Sequence, residues 1–141
     1  MRKMLFFIAI LCALNSCNSS KQSTQNNLAA LQGSWQLNYI TGPRIAFDGL
    51  YADKKPIITF DIKKSSISGN TSCNNFSGTI TTAGNKISFP EAMAMTKMAC
   101  PGEGELLFLQ ALKKINQYDV TAGYTLTLLR DSVAIMRFTK I

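Results

Sequence analysis

Apolar and polar side chains alternate along residues 33–40, with Trp35, Leu37 and Tyr39 on one face, a period that predicts a half-buried β-strand. The same reading continues down the chain. Ile58, Phe60 and Ile62 share a face after Pro56, and Lys63-Lys64-Ser65 turns the chain back. Residues 66–81 read as extended, with Gly69, Asn70, Asn74, Asn75 and Gly78 marking bulges or tight corners where positive φ is expected. Ala83-Gly84-Asn85 is a hairpin turn into a strand with Ile87 and Phe89 inward. Met93 to Met98 reads as a further short strand with Met93, Met95 and Lys97 on one side. Near the C-terminus, Tyr124, Leu126 and Leu128 alternate, and the last strand turns Ala134, Met136 and Phe138 inward.

One segment changes period. After Pro101-Gly102, residues Phe108, Ala111, Leu112 and Ile115 recur at helical spacing, with Glu103 and Glu105 at the start and Lys113 and Lys114 at the end, each on the side the helix dipole favours. A short helical turn is also expected over 28–32, and a loop over 42–55. The predicted fold is mainly β: an antiparallel meander of about eight strands curled into a small barrel-like fold, with one α-helix (about 103–117) packed on it or capping it.

The N-terminus has a different character. Arg2 and Lys3 precede a ten-residue apolar run, Leu5 to Leu14, too short to span a bilayer as a permanent helix. It ends in Leu14-Asn15-Ser16-Cys17, which resembles the bacterial lipobox. The implied organisation is a lipoprotein signal peptide (1–16), a lipidated Cys17 with a flexible polar tether (17–27), and one domain (28–141). Cys17 would carry a diacylglyceryl thioether and an acyl amide such as palmitate, anchoring the chain to a membrane. The alternative is an ordinary signal peptide that leaves Cys17 free. With no aspartate after Cys17, the expected address is the cell envelope, on the outer membrane facing the periplasm.

Composition narrows the chemistry. The chain has 141 residues, of which 46% are hydrophobic, as a globular domain requires. It has no histidine, which removes the commonest general base, the commonest transition-metal ligand and every Ser-His or Cys-His nucleophile pair. The formal charge of +7 falls to +5 without Arg2 and Lys3. The lysines are scattered and carry no interleaved aromatics, so nucleic acid is not an expected partner. The carboxylates form no recognisable catalytic pair. Met93, Met95 and Met98 are read as core filling over a soft-metal site. Neither an enzyme activity nor a metal or cofactor is expected.

Two runs carry one cysteine each: Ser68-Gly-Asn-Thr-Ser-Cys73-Asn-Asn-Phe-Ser-Gly78 and Met95-Thr-Lys-Met-Ala-Cys100-Pro101. Together with Gly33-Ser-Trp-Gln-Leu37, Ile58-Thr-Phe-Asp61 and Glu105-Leu-Leu-Phe-Leu-Gln-Ala-Leu112, they resemble the META domain, the family of the heat-shock protein HslJ. The likeness spans about residues 28–141. Members often have glycine before the first motif cysteine, where this chain has Ser72. The resemblance implies an antiparallel barrel-like fold with one helix and an envelope location, with links to stress or antibiotic tolerance. It implies no catalytic residue. In an exported domain Cys73 and Cys100 favour a disulfide, the alternative being two buried free thiols. Asn74, Asn75 and Ser77 could meet a polar ligand or shape turns. The expected role is a non-enzymatic binding or structural module with an unknown envelope protein as partner. The alternative is a carrier of a small apolar ligand in the barrel mouth, lined by Trp35, Phe60, Phe76, Phe89 and Met136.

Overall fold

A computed structural model describes residues 28–141; the expected signal peptide, the lipidation expected at Cys17 and the expected tether lie outside the described residues. Residues 28–31 form a helical turn, α1. Ten strands follow: β1 (Gly33–Ile40), β2 (Ile57–Asp61), β3 (Ser66–Asn70), β4 (Asn75–Thr79), β5 (Thr81–Ala83), β6 (Lys86–Ser88), β7 (Ala94–Met95), β8 (Gln117–Thr121), β9 (Thr125–Arg130) and β10 (Val133–Lys140). Two helices interrupt them, α2 (Phe47–Leu50) and α3 (Gly104–Leu112). All strand pairs are antiparallel, in the order β5-β6-β8-β9-β10-β1-β2-β3-β4-β7. The sheet curls into a half-barrel. Its two ends are tied by the chain itself, because β4 runs through Ile80 directly into β5 at the opposite edge.

The strand count rises from about eight to ten because the stretch 66–81 is not continuous. A tight turn at Thr71–Asn74, closed by Thr71 N–H donating to the Asn74 carbonyl at 2.9 Å, divides it once. Ile80 divides it again, its N–H reaching back to the Ser65 carbonyl at 2.9 Å.

Trp35 and Leu37 point inward as their alternation predicts, and both are fully buried. Tyr39 does not: it is 40% exposed, while Ile40 is buried. The cause is a β-bulge. Leu37 pairs with Phe138 and Tyr39 with Arg137, so Asn38 is the extra residue and flips the face that follows. The Arg137 guanidinium then sits 5.3 Å from the Tyr39 ring centroid. Tyr124 also departs from its predicted face: it lies in the turn before β9 and is exposed.

Among the described residues the core is one cluster built from both halves of the sheet and from α3. Helix α3 contributes Phe108, Ala111 and Leu112. It is shorter than expected, ending at Leu112 rather than near 117. Asn116 is recruited by the sheet instead, its N–H donating to the Leu129 carbonyl at 3.0 Å and its amide bonding Asp131. Ile115 still reaches the core from the turn between.

The expected loop 42–55 contains α2 and a buried tyrosine. Tyr51 Oη donates to the Gly104 carbonyl at 2.9 Å, and its ring lies where a Cβ on Gly104 would come within 2.9 Å. Gly104 therefore lets the start of α3 seat against Tyr51. Burial raises the Tyr51 phenol to about 12 and also raises Tyr118.

A disulfide and a buried amide at the motif corner

The two cysteine runs meet in space. Cys73 lies in the turn between β3 and β4, and Cys100 in the segment that leads from β7 to α3. They form a disulfide with Cα atoms 5.9 Å apart, across 27 residues of sequence. Closing a loop of that length contributes about 3–4 kcal/mol in the chain-entropy account.

Asn74, beside the disulfide, is 2% exposed and is the centre of the site. Its Oδ1 accepts from Met98 N–H at 2.8 Å and from the Thr96 hydroxyl at 2.8 Å. A backbone N–H can only donate, so the Met98 contact fixes which end of the amide is oxygen. Nδ2 then faces the Met98 carbonyl at 3.1 Å, Cys100 Sγ at 3.1 Å and Glu105 Oε1 at 3.2 Å. The other oxygen of Glu105 accepts from the Thr71 hydroxyl and from Asn74 N–H. One amide thus ties together the β3–β4 turn, the segment after β7 and the first turn of α3. No buried side-chain polar atom among the described residues is left without a partner.

Glycine and positive φ take different positions from those expected. Ser72 has the positive φ, at 87°, while Gly69, Asn70 and Gly78 do not. The position before the first motif cysteine is therefore one that favours glycine for a conformational reason. Gly69 is demanded by crowding instead, since a Cβ there would lie 1.9 Å from the Ile57 carbonyl oxygen. Asn75 and Ser77 are exposed on β4.

Beyond Met95 the predicted strand 93–98 gives way. After one more backbone bond, from Thr96 N–H to the Asn75 carbonyl at 3.1 Å, side chains take over, with Asn75 N–H donating to Thr96 Oγ1 at 3.0 Å and Met98 N–H to Asn74 Oδ1 at 2.8 Å. Met93 and Met95 are partly buried against the core, whereas Met98 is 58% exposed. All three line an open groove between this segment and α3.

The expected ligand-lining residues are core residues. Trp35, Phe60, Phe76 and Met136 are buried, and Phe89 packs against the same cluster with its ring centroid 6.5 Å from that of Phe60. Trp35 Nε1 is spent on the Leu31 carbonyl at 2.8 Å. Ligand atoms of Cys73, Cys100 and Glu105 lie within 4.8 Å of one another, but both sulfurs are committed to the disulfide and are poor donors in that state. Asp48, Asp61 and Asp131 each face a cation at the surface: Lys55, Lys64 and Arg130.

Solved structures share this architecture. A protein from Burkholderia xenovorans, determined by NMR, is 23% identical with a TM-score of 0.60, over 82% of this chain and 88% of that one. A DUF4847 family protein from Bacteroides vulgatus ATCC 8482, a crystal structure, is 16% identical with a TM-score of 0.55, over 77% and 92%. At these identities the likeness concerns the fold alone. No curated protein matches the chain. The family model of the META domain matches residues 26–141, which takes in the whole sheet, the disulfide and the Asn74 corner, and the chain belongs to the META domain family.

Proposed function

We propose that this chain is a non-enzymatic, lipid-anchored protein of the bacterial cell envelope, in which the META domain serves as a binding or structural module held out from the membrane by the 17–27 tether. The observation that carries the non-enzymatic reading is the Asn74 corner. The polar groups concentrated in the family motif bond one another, which supports a role in holding the fold. The Leu14-Asn15-Ser16-Cys17 run supports the anchor, with the outer membrane facing the periplasm as its address and stress or antibiotic tolerance as its setting. Metabolic labelling with an alkyne palmitate, followed by membrane fractionation, tests the anchor. Label at Cys17 that disappears in Cys17→Ser is expected, and an unlabelled soluble chain would overturn it. Crosslinking in intact envelopes tests the module. A reproducible envelope partner is expected, and its absence from repeated captures counts against this reading.

A further inference from the structure

The methionines after β6 follow the spacing Met93-Ala-Met95-Thr-Lys-Met98. Met93 precedes β7 and Met95 ends it; both are partly buried against the core, and Met95 is directly opposite Phe76 on β4. The chain then leaves the sheet, and Asn74 brings Met98 back. The Asn74 amide binds the Met98 backbone through both its N–H, at 2.8 Å, and its carbonyl, at 3.1 Å. The backbone of Met98 is thus fixed while its side chain stands 58% exposed. All three methionines line the same open groove, of about 620 Å³, with Lys97, Glu105 and Leu109.

We propose that Met93, Met95 and Met98 form a binding site for a soft monovalent cation, Cu(I), for which Ag(I) is the redox-inert analogue. Thioethers are soft ligands that select Cu(I) over hard cations. They are neutral and need no deprotonation, and a chain without histidine offers borderline metals no competing imidazole. Methionine has three rotatable bonds, so three side chains anchored around one groove can converge on an ion. Lys97 opposes a cation there and Glu105 favours one, so the affinity rests on the sulfur bonds more than on local charge. The inference requires neither the lipid anchor nor a protein partner.

Residues 28–141 suit the test, because they contain the ten-stranded sheet and the core cluster described above. Within them both cysteines are in the disulfide, and the remaining methionine, Met136, is fully buried. Under anaerobic conditions, with ascorbate as a reductant that leaves the disulfide intact, the domain is expected to withdraw one equivalent of Cu(I) from its bicinchoninate complex. Met98→Leu should weaken binding by about tenfold or more, and the triple Met93→Leu/Met95→Leu/Met98→Leu variant should abolish it. As a readout on the unmodified domain, Ag(I) should shift the methyl resonances of Met93, Met95 and Met98 and leave Met136 in place. Failure of the unmodified domain to compete for Cu(I), undiminished binding by the triple variant, or methyl shifts confined to other residues would each overturn the site.

Discussion

Replacing Asn74 with alanine tests whether the buried amide holds the motif corner together. The change removes four hydrogen bonds to oxygen or nitrogen partners: those to Met98 N–H, the Met98 carbonyl, the Thr96 hydroxyl and Glu105 Oε1. At about 0.5–1.5 kcal/mol net per bond the loss would be about 2–6 kcal/mol. Thr96 and Met98 are exposed, so water can replace part of what they lose, which brings the expected cost to about 2–4 kcal/mol. Domains of this size are stable by about 5–15 kcal/mol, so the variant should fold but with a clearly lower urea midpoint and an unchanged slope. The neighbouring Asn75→Ala is the control. Its side chain is exposed on β4, and it should stay within about 0.5 kcal/mol of the parent. Amide exchange gives a second, local readout. Met98 N–H donates to Asn74 Oδ1 and should lose protection, whereas Thr71 N–H, which donates to the Asn74 backbone carbonyl, should keep it under mild conditions. A loss below about 1 kcal/mol, or unaltered Met98 exchange, would refute the hub.

Three further outcomes are expected. Ser72→Gly removes a positive-φ strain of about 1 kcal/mol and adds about 0.5–1 kcal/mol of unfolded-state entropy, so thermal melting should show no loss or a small gain; a clear loss would contradict the φ of 87°. Gly69→Ala places a Cβ 1.9 Å from the Ile57 carbonyl oxygen and should cost about 3 kcal/mol or more by urea titration, with a tolerated alanine counting against the β2–β3 geometry. At alkaline pH the unfolded Tyr51 phenol ionises near 10 and the folded one only near 12. Stability is therefore unaffected by this group below pH 10 and falls as pH rises from 10 towards 12. Tyr51→Phe should lessen that fall, measured as urea midpoint against pH, with Tyr118 supplying the remainder.

Local pattern made several parts of this molecule legible in sequence. Trp35 and Leu37, Ile58 and Phe60, and Met136 and Phe138 alternate on faces that do pack inward, because strand period and burial agree there. Tyr39 shows where period fails. A bulge needs two strands, and the partner Arg137 lies almost a hundred residues away, so nothing local marks Asn38 as the extra residue. Tyr51 was hidden for a similar reason. Residues 42–55 carry no apolar period, and the ring is buried only because Gly104 leaves room for it. The motif corner separates the two kinds of information most sharply. Thr71, Asn74, Thr96 and Glu105 are each ordinary polar residues in their own neighbourhoods. Their role arises only when the β3–β4 turn, the segment after β7 and α3 converge, and the disulfide is the one member of that group whose chemistry is written in its residue type. The turn's own demand for positive φ is met here by Ser72. A serine can stand there because the surrounding bonds, from Asn70 Oδ1 accepting Ser72 N–H at 3.1 Å to the Asn74 amide, hold the turn in shape against its strain.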